Sequence, residues 1–126
     1  SYGLTDNQIN QMLIESMENA RQDVTNRILS ETKVKAQTLI DKTLGNLKED
    51  PEILNNNEQT KLYETIESLK ETLGQNDRDK ILQTQEELEI IAKELIGRKL
   101  DKYLNNFKGK KLEDIEKILH PLKNDK

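Results

Sequence analysis

The side chains able to do covalent or acid–base chemistry are few in this sequence and poorly placed for it. The single histidine, His120, stands beside Pro121 near the C-terminus, whereas a nucleophile and base need a histidine converging on Ser, Cys or Thr. Cysteine is absent, which removes a thiolate nucleophile, a disulfide framework and any cysteine-based zinc or iron-sulfur site. The adjacent acids Glu86 with Glu87, and Glu113 with Asp114, read as solvated helix faces, because a working acid–base pair needs burial to shift its pKa values. The five glycines, Gly3, Gly45, Gly74, Gly97 and Gly109, are isolated, so no loop is rich enough in glycine to cradle a phosphate. The expectation is a chain with no catalytic, cofactor-binding or metal-ligating residues of its own, and not an enzyme.

Two patterns point to binding instead. From Arg98 to Lys111 the cations Arg98, Lys99, Lys102, Lys108, Lys110 and Lys111 interleave with Tyr103 and Phe107, which would suit a nucleic-acid patch. The plainer account is preferred: cations collect at a helix C-terminus because the macrodipole favours them, while Tyr103 and Phe107 face the core. The second pattern is an apolar stripe, Ile9, Met12, Leu13 and Met17, near the N-terminus. It demands a partner surface, either another domain, which is the preferred reading, or its own bundle if the helix folds back, and its two methionines suit an adaptable contact.

These residues must be carried by helices. Thr5 with Gln8 forms a capping box, and Leu4 with Ile9 stands where a hydrophobic staple would close the first turn. A first predicted helix bears the stripe. A second, from about Ala20 to Lys48, contains no Pro and carries Val24, Ile28, Leu29, Leu39, Ile40, Leu44 and Leu47. At about 1.5 Å per residue it would be about 45 Å long, so part of it should project, and the thin stripe between Ile28 and Leu39 makes that the N-terminal part. Asp50 and Pro51 break the pattern; Asn55 with Glu58 caps a third helix bearing Leu62, Ile66, Leu69 and Leu73. Gly74 is placed for a left-handed stop, and Asn76 or Asp77 can cap a fourth helix with Ile81, Leu88, Ile91, Ala92, Leu95, Leu100, Tyr103 and Leu104. Asn105, Asn106 and Gly109 weaken that helix, and a short fifth carries Leu112, Ile115, Ile118 and Leu119 up to His120 and Pro121.

The predicted fold is therefore all-α: a long projecting helix pair leading into a bundle of the late second, third, fourth and fifth helices. It divides into projecting helices over 1–35, a bundle over 36–120 and a frayed tail over 121–126, all within one domain of 126 residues. Hydrophobic residues make up 33% and charged residues 35%, so the core must be aliphatic, and the net charge of −4 sets no global field for nucleic acid. No apolar run approaches the roughly 20 residues of a membrane span. Ser1 in place of Met reads as a fragment of a longer protein, and a reducing cytoplasm is compatible with the lack of Cys.

The opening Ser1-Tyr2-Gly3-Leu4-Thr5-Asp6, followed by Ile9, Met12, Ala20, Asp23, Val24, Arg27 and Lys33-Val34, resembles the C-terminal lid of the seventy-kilodalton heat-shock chaperones. Gly-Leu-Thr-Asp with the following Ile and Met is shared with the general DnaK branch. Tyr2, Ser16-Met17 and Asp23-Val24 lean towards the HscA-like branch that serves iron-sulfur cluster assembly. The likeness is good from Ser1 to about Leu47 and rests beyond that on helix lengths, Asn55 with Glu58, and the Gly74 turn.

The resemblance implies a lid over a β-sandwich that grips an extended client peptide, with ATP bound in a separate domain of the parent protein and a J-type co-chaperone acting on it. The client would be an iron-sulfur scaffold protein, and the location cytoplasmic. Leu4, Ile9, Met12, Leu13 and Met17 would dock the lid. In the general branch an Asp and a His latch onto sandwich loops; the corresponding positions here hold Gln37 and Asp41, so that latch does not carry over intact, although Asp41 could accept a charge-assisted hydrogen bond from a loop cation. The alternatives are the lid of a general DnaK-type chaperone and a helical adaptor module that binds partners by itself. Freed from a sandwich, the first helix would also self-associate through its stripe.

Overall fold

The computed structural model describes residues 3–108, 116, 117 and 119. Three helices, α1 (Asp6–Glu49), α2 (Asn56–Leu73) and α3 (Arg78–Lys108), are joined by a 3₁₀ turn at Pro51–Ile53 and a short loop at 74–77. No strand occurs among the described residues, as the all-α reading requires.

The predicted helix pair is one element: α1 runs unbroken for 44 residues. Neither Gly nor Pro occurs between Asp6 and Leu44, so nothing in the backbone ends a helix near Ala20. The Glu18–Arg21 ion pair lies across the supposed junction at helical spacing and supports continuation. At its start Thr5 Oγ1 accepts from the Gln8 backbone N–H at 3.1 Å, and Gln8 Oε1 accepts from the Thr5 N–H at 2.8 Å. The capping box is therefore formed as expected.

The core begins at Thr32. On α1 the buried residues are Thr32, Ala36, Ile40, Thr43 and Leu47, on α2 Leu62, Ile66 and Leu69, and on α3 Ile81, Leu88 and Leu95, with Leu54 closing the connection. The seven-residue interval on α3 and the three-and-four intervals on α1 and α2 make three seams that meet along one axis. Thr32 and Thr43 enter this core without an orphaned hydroxyl, since each donates to the carbonyl four residues earlier, of Ile28 and Leu39.

Polar contacts fix the directions. Arg78 Nε donates to Thr32 Oγ1 at 3.1 Å at one end, and Lys102 Nζ reaches Asp50 Oδ2 at 2.9 Å at the other. So α3 runs parallel to the second half of α1, and α2 returns antiparallel to both, packed chiefly on α3. Residues before Leu29 on α1 are exposed, and at about 1.5 Å per residue the stretch from Asp6 to Glu31 forms an arm about 39 Å long.

Two local readings need correction. Gly74 is not left-handed: its φ is −76° and its ψ −10°. The last turn of α2 closes with 3₁₀-type bonds, Gly74 N–H to Glu71 O at 3.2 Å and Gln75 N–H to Thr72 O at 3.0 Å, so no positive φ is needed. Of the two candidate caps for α3, Asp77 is the one that serves, accepting from the Lys80 N–H at 3.3 Å, and Asn76 accepts from Lys33 Nζ at 2.9 Å. Asn105 and Asn106 do not interrupt α3, because asparagine inside a helix costs only a fraction of a kcal/mol, roughly 0.7 at most. Of the predicted fifth helix, Leu112, Ile115 and Ile118 lie outside the described residues, as do Gly109, Lys110, Lys111, Glu113, Asp114, His120 and the tail 121–126.

Gly45 lies on the exposed side of α1, and a Cβ there would meet nothing within 4 Å. Gly45→Ala should therefore stabilise the chain by about 0.5–1 kcal/mol. Leu88→Ala, which empties a fully buried site, should destabilise it by about 2–5 kcal/mol. Urea denaturation of the two variants beside the parent chain checks both signs.

Candidate docking surface

On α1 the side chains before the bundle fall into a pattern set by helical geometry. At about 100° per residue, Ile9, Leu13, Met17, Ala20, Val24 and Ile28 share a sector about 100° wide, with Met12 and Ile14 about 100° to either side of Leu13. All eight are exposed. Leu13 keeps 57% and Met17 71% of its surface open to solvent. Leu4 precedes the helix and is 53% exposed.

This stripe does not face the bundle. The same geometry puts Ala36, Ile40, Thr43 and Leu47 about two-fifths of a turn away round the axis. Since α1 is unbroken through Ala20, the arm does not fold back to cover itself on α2 and α3. Of the predicted docking residues, Ile9, Leu13 and Met17 lie together on the stripe and Met12 stands at its flank. Sequence reasoning missed the continuation through Val24 and Ile28, because those two were assigned to a separate second helix. Their interval from Met17 and Ala20 was the available signal.

Gln37 and Asp41 are exposed and bonded to each other, with Gln37 Nε2 donating to Asp41 Oδ1 at 3.0 Å. They lie about 30 Å along α1 from Met17, beside the bundle rather than on the arm. Asp41 keeps a second carboxylate oxygen with which to accept from a partner.

The first part of the basic run, Arg98 to Lys102, is not an open patch. Arg98 donates through Nη1 to Glu58 Oε1 at 2.8 Å and to the Ile53 carbonyl at 3.1 Å, and it pairs with Glu94 one turn earlier. Lys99 donates to the Asn46 carbonyl at 3.2 Å and to Glu49 at 2.7 Å, and Lys102 takes Asp50. Three of the six cations are thus tied to acids on α1, the 3₁₀ connection and α2, which answers the nucleic-acid reading more directly than the macrodipole did. Tyr103 does not face the core: it is 53% exposed and meets the half-buried Phe107 edge-on, with ring centroids 4.7 Å apart. Here α3 has run past the end of α1, so no α1 side chain remains to cover it.

Glu58 is the junction of this clamp. It accepts from Arg98 and also from the Asn55 backbone N–H at 3.0 Å, completing the capping box of α2. The Arg98 guanidinium first, and that backbone N–H second, hold its carboxyl down at about 2, while Arg98 is shifted upward by the same contact. Asp50 likewise raises the Lys102 ammonium. No group of three or more His, Cys, Asp or Glu side chains that could hold a metal occurs among the described residues, and none of the described helices is long and apolar enough to cross a membrane.

A long capped arm with an open stripe is rooted in a small bundle, and comparison with known sequences decides the family. The model of the Hsp70 protein family matches residues 1–101. The chain belongs to the Hsp70 family. Among Hsp70 relatives it is 37% identical over 116 residues to the Chaperone protein HscA homolog of Mannheimia succiniciproducens, an alignment covering 91% of this chain and 19% of that protein. It is 31% identical over 116 residues to the HscA homolog of Shewanella woodyi, with the same coverage. To the Chaperone protein HscA of Photorhabdus laumondii it is 33% identical over 101 residues, 80% of this chain and 16% of that one. The chain spans about a fifth of the length of these Hsp70 relatives, and its likeness to them is HscA-like.

Because the folded Glu58 carboxyl is the stronger acid, protonation favours the unfolded chain. Its stabilising contribution is present above pH 4.5 and is lost as pH falls towards about 2. Urea unfolding of Glu58→Gln and the parent chain across that range should give a shallower acid decline for the variant. Parallel profiles would mean that the Arg98–Glu58 pair contributes nothing to folding.

Proposed function

We propose that this segment is the lid of a chaperone substrate-binding domain, and that it slows the release of a bound client peptide. The observation that carries the reading is the arm of α1, whose apolar stripe from Ile9 to Ile28 is open while the same helix is anchored in its own bundle. An exposed apolar face of this length requires a cover. In an Hsp70 chain the available cover is the β-sandwich peptide-binding subdomain of the same parent protein. Leu4, Ile9, Leu13 and Met17 would bear on that surface, Met12 would reach its margin, and Gln37 with Asp41 would mark the latch region farther along.

A lid of this kind acts on escape. Covering the peptide lowers its dissociation rate and tightens equilibrium binding by that factor, without taking part in ATP hydrolysis. The segment itself would perform no catalysis; ATP would be bound and hydrolysed elsewhere in the parent, in answer to a J-type co-chaperone. The HscA-like character supports a place in iron-sulfur protein maturation, with an iron-sulfur scaffold protein as client and the cytoplasm as location.

The test is the dissociation rate of a labelled client peptide from the intact parent, compared with Leu13→Asp and Met12→Asp variants. Both residues are exposed and remote from the core, so neither variant should unfold the bundle. Release several-fold faster in Leu13→Asp, with a smaller effect in Met12→Asp, is the expected result. Unchanged release, together with direct capture of a protein partner by this segment alone, would make it a helical adaptor instead. Clients typical of general folding, and no preference for iron-sulfur proteins, would assign it to the DnaK-type branch.

A further inference from the structure

The stripe on the arm has a symmetry that docking on a sandwich does not require. Its positions, Ile9, Leu13, Met17, Ala20, Val24 and Ile28, are separated by four, four, three, four and four residues, an order that reads the same from either end. The midpoint falls between Glu18 and Asn19. The exposed arm has the same midpoint, since it extends from Asp6 at the start of the helix to Glu31, immediately before the first buried residue, Thr32.

We infer that two copies of this chain pair through their arms in antiparallel, two-fold fashion, with the axis between Glu18 and Asn19. An isologous contact presents the same surface twice, so a residue and its partner must exchange places across the axis. In this pairing Ile9 opposes Ile28 of the second copy, Leu13 opposes Val24, and Met17 opposes Ala20, so every apolar side chain of the stripe meets another. The arms overlap along their whole length of about 39 Å. Each helix start comes level with Thr32 of the other copy and stops short of the other bundle. The bundle's side chains lie on a different face of α1, which leaves the stripe open to a second helix.

Charge favours this orientation over the parallel one. From Asp6 to Glu18 the arm carries Asp6, Glu15 and Glu18 and no cation. From Asn19 to Glu31 it carries Arg21 and Arg27 against Asp23 and Glu31, with no net charge. Antiparallel pairing sets the acidic half of each arm along the neutral half of the other, which holds Arg21 and Arg27, whereas parallel pairing aligns the two acidic halves. This pairing uses the stripe assigned above to lid docking, so the two occupancies exclude each other. Neither rests on the other, because the pairing is read on this chain alone, without the parent's other domains.

The absence of native Cys makes the test direct. Ile9→Cys and Ile28→Cys chains, prepared separately and mixed under mild oxidation, should cross-link to each other and not to themselves. In the antiparallel pair two copies of residue 28 stand about 29 Å apart along the axis. Sedimentation of the unmodified chain should give about twice its mass of 14.6 kDa at high concentration, and Leu13→Asp should weaken self-association at least tenfold while leaving helicity unchanged. Homodimers of Ile28→Cys would establish a parallel pair and overturn the inference. A monomer throughout, or a dimer indifferent to Leu13→Asp, would overturn it as well.

Discussion

Everything in this fold depends on α1 having no backbone reason to stop. A helix is costly to start and inexpensive to extend, and exposed helices of a few turns are marginal in water. The arm of α1 buries almost nothing, so tertiary packing along its own length does not hold it. It is held from its two ends. The second half of the helix is fixed in the bundle by Ala36, Ile40, Thr43 and Leu47 and supplies a nucleus from which the helix propagates towards the N-terminus. At the far end the reciprocal bonds of Thr5 and Gln8 satisfy donors that would otherwise fray the first turn. Between them Glu18 with Arg21 and Gln11 with Glu15 add helical-spacing contacts.

The root of the arm must then resist any load placed on its tip, and the bundle is built accordingly. Its apolar seams set the helix spacing, but aliphatic seams of Leu and Ile specify position along the axis only weakly. The polar contacts at both ends supply that specification. At one end Lys33 and Thr32 hold the loop and first residue of α3 through Asn76 and Arg78. At the other, Arg98, Lys99 and Lys102 gather Glu58, Glu49, Asp50 and two backbone carbonyls. Exposed ion pairs taken singly contribute little. This group differs in spanning three segments of chain, with Arg98 forked on Glu58 while Glu58 caps α2, so sliding one helix past another would break several bonds together.

What could be read from sequence was what is local. Both capping boxes follow from residue types three apart, and the buried residues of α2 follow from one clean periodicity. The continuity of α1 was harder, because its two apolar stripes lie on different faces: a change of face along one helix looks, in a list of hydrophobic positions, like a change of helix. Gly74 misled for another reason, since glycine permits a left-handed residue without requiring one and the 3₁₀ closure needed none. The clamp was invisible for a third reason. Arg98 and Glu58 are far apart in sequence, and only the antiparallel return of α2 brings them together, so the basic run read as cations gathered at a helix end, when Arg98, Lys99 and Lys102 are neutralised by acids of other segments. The exposure of Tyr103 belongs to the same class, because it depends on where α1 ends relative to α3.

A rigid arm with its apolar face turned away from its own bundle separates two jobs within one helix. Had the stripe continued on the bundle face, the arm could have been satisfied by longer copies of α2 and α3, and the outcome would have been an ordinary long bundle with nothing left to offer. The change of face prevents that. It leaves about seven turns of helix whose orientation is dictated by the bundle and whose burial must come from outside, so whatever covers the stripe also feels where the bundle is. A surface that docks the arm therefore positions the bundle, and a force on the bundle reaches the docked surface through one continuous helix. That coupling is mechanical in origin and needs no conformational switch inside the segment.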